Sequence, residues 1–192
     1  MKETIATFFR VYQTAIDFYW SNVIYYYSKT NEEMGKKFIL KWNIDKITDQ
    51  AAETSLLESI HIHSNIKLAP QIIPEYYFLP TIKRTKKAII FGTSSNGYDF
   101  CMNIISSKIS LIDYDHQTLY FNIAESEEAF LKVLVKLCEF QILFLRKITV
   151  DAEISSKFRK EIIGLAGGEE YSKFYNYTVI SENDQPVDPF IL

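Results

Sequence analysis

Between Ala88 and Leu131 the chain reads AIIFGTSSNGYDFCMNIISSKISLIDYDHQTLYFNIAESEEAFL, a run of short apolar alternations broken by turns and ending in a helix signature. Ile89 and Phe91 alternate with Ala88 and Ile90 until Gly92-Thr93-Ser94-Ser95-Asn96-Gly97 interrupts, and Asn-Gly supplies the positive φ angles of a hairpin turn. From Tyr98 a second strand sets Phe100, Met102 and Ile104 on one face and Asp99, Cys101, Asn103 and Ile105 on the other, with a turn at Ser106-Ser107-Lys108. Ile109 to Tyr114 makes the next strand, Asp115-His116-Gln117-Thr118 turns the chain, and Leu119 to Ile123 makes another. Ser126 then caps a helix whose first turn holds Glu127 and Glu128, where carboxylates complement the helix dipole. Connections this short force neighbouring strands to run antiparallel. The expected fold is therefore α+β: a single domain over residues 1–192, with a mostly antiparallel twisted sheet and packed helices.

The flanking segments supply the helices. Ile5, Phe8, Phe9, Tyr12, Ile16, Tyr19, Trp20, Val23 and Tyr27 recur at spacings of three and four, the stripe of an amphipathic helix from about Glu3 to Tyr27. Phe38 to Ile44 has the alternation of a half-buried strand, a short helix follows through Leu57, and Ile60 to Leu68 alternates again with His61 and His63 on one face. Pro70 and Pro74 end that strand, and Tyr76 to Leu79 reads as a short extended piece stopped by Pro80. The Ser126 helix is expected to run to about Lys147 and lie across the sheet. A second helix spans about Asp151 to Ile163, Gly164, Gly167 and Gly168 break the chain, and a short helix covers Glu169 to Tyr177 before a polar tail from Ser181.

Composition narrows the function. The chain has 192 residues, of which 47% are apolar and 15% aromatic, enough for a substantial core. A net charge of −3 and a pI near 5.7 give phosphate backbones no long-range attraction, so nucleic acid is not an expected partner and a basic protein is. The longest apolar region, Phe130 to Leu145, is broken by Lys132, Lys136 and Glu139, short of the roughly 18 uncharged residues of a membrane span. With no leader core at the N-terminus, a cytoplasmic location is expected, with no membrane partner. Cys101 and Cys138 read as buried reduced thiols. The dense basic run Lys83-Arg84-Thr85-Lys86-Lys87 could grip phosphate or an acidic partner, but reads first as a charged turn that keeps a hairpin soluble.

Catalytic spacing is not found. Gly92-x-x-x-x-Gly97 lacks the Lys-Ser/Thr pair and the following helix of a phosphate loop, and Gly164-x-x-Gly167-Gly168 lies between two helices, where a dinucleotide fingerprint needs a strand before it. His61 and His63 lack a third and fourth metal ligand at a readable spacing. Asp113, Asp115 and His116 form a carboxylate pair beside an imidazole, which a hydrolase or metal site could use, but no nucleophile or oxyanion donor is tied to them by spacing. The expectation is no enzyme, no cofactor and no metal.

From Phe78 to Leu134 the chain resembles the SUKH superfamily, which includes fungal cell-wall-synthesis regulators and many bacterial immunity proteins. The similarity is carried by a hydrophobic strand, a turn closing on Gly97 with Asp99 and Phe100 after it, Asp115-His116 at the end of a later strand, and Ile123-Ala124-Glu125-Ser126 leading into a helix with Phe130 and Leu131. The resemblance implies a twisted sheet with helices around it and a non-catalytic protein-binding module. Its bacterial members imply an immunity protein that covers the active surface of a cognate polymorphic toxin, for instance a nuclease with a basic cleft. Its fungal members imply the alternative, an intracellular scaffold that recruits signalling partners. For a basic partner the suitable groups are carboxylates and aromatics on rigid turns, which points to Tyr98, Asp99, Asp113, Tyr114, Asp115 and His116, bordering one face if their strands are neighbours.

Overall fold

Residues 2–27, 77–94, 96–113, 116, 118–146 and 148–179 are described by a computed structural model. Among them α1 (Lys2–Tyr27) precedes five strands, β1 (Tyr77–Arg84), β2 (Ala88–Thr93), β3 (Asp99–Asn103), β4 (Ile109–Asp113) and β5 (Thr118–Ala124). Then come α2 (Glu127–Leu145), α3 (Ala152–Ala166), a 3-10 turn (Glu169–Tyr171) and α4 (Ser172–Thr178). The strands lie in the order β1-β2-β3-β4-β5 and every adjacent pair is antiparallel, the meander that the short turns require. The fold is α+β. The expected strand from Phe38, the helix to Leu57, the strand carrying His61 and His63, and the tail from Ser181 lie outside the described residues.

Turn chemistry fixes the hairpins. The Gly97 N–H donates to the Ser94 carbonyl (3.0 Å), the Ser94 N–H donates to that of Tyr98 (2.8 Å), and Gly97 takes φ +83°, the left-handed region that favours glycine. At the next turn β3 ends earlier than the apolar alternation suggests. The Asn103 carboxamide oxygen accepts the N–H groups of Ile105 (2.9 Å) and Ser106 (3.0 Å), Ser107 adopts φ +59°, and the backbone leaves the strand before Ile104. Ile104 and Ile105 are therefore turn residues, 46% and 91% exposed. At the first strand the opposite correction applies: β1 continues through Pro80 to Arg84. Pro80 falls where the β1–β2 register shifts between Phe78 and Lys83, and among the described strands β1 is at the edge of the sheet, where a missing N–H is tolerated.

One face of the sheet carries Ile89, Phe91, Phe100, Met102, Ile109, Leu111 and Ile123 into the hydrophobic cluster. α2 covers it, with Phe130 edge-on to Phe91 at 5.4 Å, and α4 sets Phe174 against Phe100 (6.2 Å) and Phe121 (5.8 Å). α1 lies along α2 and adds Ile5, Phe8, Phe9, Tyr12 and Ala15, all buried. Burying each such ring contributes roughly 2–3 kcal/mol, far more than helix propensity, so packing rather than propensity holds α1. Ser126 caps α2 as expected, its hydroxyl accepting the Ala129 N–H at 3.2 Å, and the helix ends at Leu145. Asp151 caps α3, and Gly167 and Gly168, both at positive φ, terminate it. The tertiary closure of this half is polar: the Tyr175 hydroxyl donates to the Ile123 carbonyl (2.6 Å), the Glu125 N–H to that of Ala166 (2.8 Å), and Arg159 doubly to that of Val179 (3.1 and 2.8 Å). No described helix is long and apolar enough to cross a membrane.

Candidate functional site

In a meander alternate turns gather at the same end of the sheet, so the β2–β3 and β4–β5 connections share one end. Asp99 pairs with Ile112, and one step further the register sets Tyr98 opposite Asp113. The strands bearing the expected site residues are thus neighbours. Alternation along a strand nevertheless sends adjacent side chains to opposite faces. Asp99 shares the face of Cys101, whereas Asp113 follows the parity of Ile109 and Leu111. Tyr98, Asp113 and His116 are brought together, Asp99 lies on the other face, and Tyr114 and Asp115 lie outside the described residues.

The Asp113 carboxylate is the hub. One oxygen accepts the His116 backbone N–H (3.0 Å), and the other lies 2.7 Å from His116 Nδ1. The Asp113 side chain is 20% exposed and that of His116 79%, so the carboxylate is largely enclosed and the imidazole is displayed. Beside them the rings of Tyr98 and Tyr120 lie 4.1 Å apart at 37°. The hydrogen bond to Tyr98, then loss of hydration, then the nearby charge of Asp113 raise the Tyr120 phenol above its ordinary 10.0. Tyr98 before β3, Asp113 on β4 and Tyr120 on β5 therefore form a row across the sheet end.

Tyr120 was not foreseen from sequence. The β4–β5 register jumps from Leu111↔Phe121 to Ile112↔Leu119, which leaves Tyr120 as the extra residue of a bulge. An aromatic beside a short turn, with a second aromatic after the Asn-Gly turn, was the available signal, but the bulge that joins them has no local sequence mark.

Chemically, a carboxylate held against Nδ1 orients the imidazole ring, and an oriented imidazole suits hydrogen bonding or proton transfer. The two thiols offer no nucleophile. Burial first and the charge of Asp99 second push Cys101 up to about 12, and burial with Glu139 raises Cys138 further, so both stay protonated at neutral pH. Among the described residues no group of three His, Cys, Asp or Glu side chains is arranged to hold a metal ion. The arrangement sets a largely enclosed carboxylate beside two tyrosine rings and an exposed imidazole. No family model, curated protein or solved structure matches the chain.

Proposed function

We propose that this chain is a non-catalytic protein-binding module of the SUKH type, acting in the cytoplasm as an immunity protein that neutralises a cognate toxin domain. The observation that carries the binding reading is the row of Tyr98, Asp113 and Tyr120 with His116 locked onto Asp113 at 2.7 Å. Tyrosines supply contact area at little entropic cost, and the carboxylate beneath them favours a lysine or arginine on the partner. The immunity role itself rests on the resemblance between Phe78 and Leu134. A basic nuclease cleft fits such a surface in charge, and the acidic balance of the chain, −3, favours encounter with it.

The test uses the open reading frame adjacent to this gene. It is expressed in a bacterial host with and without the present chain. Arrest of growth by the neighbour alone, relief on co-expression, and co-elution of the two purified proteins as a stable complex are expected. If the neighbour is toxic and the chain neither relieves the arrest nor binds it, the immunity role is wrong, and a scaffold that recruits regulatory proteins becomes the better reading.

A further inference from the structure

The other end of the sheet has a different character. There the β1–β2 turn and the β3–β4 turn lie side by side, joined by a hydrogen bond from the Ile104 N–H to the Lys87 carbonyl (3.0 Å). The β3–β4 turn carries Ile105 at 91% exposure and Ile104 at 46%, two adjacent branched apolar side chains at the apex of a turn. That turn is stiff: the Asn103 side chain binds two of its N–H groups, and the Asn103 N–H donates to the Lys108 carbonyl at 2.9 Å. Next to it Lys83, Arg84, Lys86 and Lys87 are all exposed. Glu170, which reaches this end, is engaged by Lys108 (2.9 Å) and Asn122 (3.2 Å). Among the described residues, in a chain of net charge −3, four cations beside an apolar tip are a local reversal of sign.

We propose that this end of the sheet, the Ile104–Ile105 tip with the Lys83–Lys87 turn, docks on an anionic lipid bilayer. The shape selects the occupant. A projecting wedge of two side chains is too small to form the packed centre of a stable protein interface, which needs roughly 800 Å² on each partner. A bilayer surface yields around such a wedge, takes the isoleucines to the acyl boundary and attracts each nearby cation to its anionic headgroups. The expectation of no membrane partner rested on the lack of a span and a leader, neither of which a peripheral contact requires. Docked this way, the chain holds Asp113 at the far end of the strands, away from the anionic surface. The inference is independent of the immunity role.

Flotation of the purified full chain with vesicles is the test, comparing pure phosphatidylcholine with phosphatidylcholine containing phosphatidylglycerol. The chain should float with the anionic vesicles only, and less as salt rises. Removing both isoleucines (Ile104→Ser with Ile105→Ser) should lower the partition coefficient by roughly tenfold or more. Reversing two cations (Lys86→Glu with Lys87→Glu) should lower it by roughly twentyfold or more, at about fivefold for each charge lost. All four residues are exposed, so thermal midpoints should stay at the parent value, and Asp113→Asn should float like the parent. Failure of the parent to float with anionic vesicles overturns the proposal, as does flotation that both double variants retain. So does a lipid-free dimer of the parent that the isoleucine variant converts to monomer, because the tip would then be covered by a second copy.

Discussion

Two thiols and two glycines in this chain owe their properties to what surrounds them rather than to their type. Cys101 and Cys138 are 4% and 0% exposed, and burial holds both protonated well above the ordinary 9.0. An aromatic disulfide reagent at neutral pH should therefore modify neither until the protein unfolds, and prompt reaction of either thiol in native buffer would contradict the burial. The same shift sets an alkaline limit. A thiol with a raised folded pKa favours the folded state fully below 9.0 and progressively less as pH climbs toward the folded value of about 12 for Cys101. Cys101→Ser should remove part of that loss of stability between pH 9 and 11. The glycines make a contrasting pair. At Gly167, φ is +122° and a Cβ would sit 2.8 Å from the Tyr171 ring and 2.9 Å from the Glu125 carboxylate, so Gly167→Ala should cost about 1–3 kcal/mol. Gly164 lies inside α3 with open space around it, and Gly164→Ala should stabilise by about 0.5–1 kcal/mol. Chemical denaturation of the two variants reads both signs. Sequence placed these glycines together as a helix break; only Gly167 and Gly168 break the helix, because the backbone changes hand after Ala166.

At the scale of elements, what was legible depended on whether the signal was local. Ser126 followed by two glutamates announced the start of α2, and the Asn103 strand and its neighbours followed from alternation and turn residues. The departures occur where a tertiary contact decides. Pro80 reads as a stop, yet at the shifted register of an edge strand it costs no ladder bond. Ile104 reads as the next inward residue of β3, yet the Asn103 side chain captures the following N–H groups and turns the chain first. The α2–α3 junction was invisible for the same reason, because its polar contact joins residues from two helices. Lys136 lies 2.9 Å from Glu139 on its own helix and 2.7 Å from Glu161 on α3. Burial opposes the charge of Lys136, but the hydrogen bonds to Glu161 and Glu139 outweigh it and raise its pKa, while the bond from Lys136 is the main cause that lowers Glu161. A carboxylate lowered in the folded state stabilises fully above its unfolded value, 4.5, and that contribution is lost as pH falls through the folded value. Thermal melts should show the parent losing its advantage over Glu161→Gln as pH drops from about 5 to 3, with a gap at neutral pH of no more than about 1 kcal/mol because the pair is partly exposed. A gap that stays constant across that range would mean the ion pair does not couple the helices.

At the scale of the molecule, an antiparallel meander gives the sheet two ends with separate chemistry, because alternate turns fall together and β3 holds them apart by roughly 16 Å. Sequence identified Asp99 and Asp113 as parts of one docking face because their strands were expected to be neighbours. They are neighbours, but the pair Asp99↔Ile112 places Asp113 one residue out of phase and so on the opposite face, a distinction that depends on register and cannot be read from either strand alone. If the toxin meets the row of Tyr98, Asp113 and Tyr120, the two carboxylates must contribute unequally to association. Neutral, isosteric replacements separate them: Asp113→Asn keeps an oxygen to accept the His116 N–H while removing the charge, and Asp99→Asn removes the charge on the other face. Stopped-flow association with the cognate toxin at low ionic strength should be several-fold slower for Asp113→Asn and within about twofold of the parent for Asp99→Asn. The difference should close as salt approaches physiological strength, where screening acts over about 8 Å. Equal slowing by both replacements would assign attraction to the overall acidity of this end, and slowing by Asp99→Asn alone would move the docking surface to the face of Cys101.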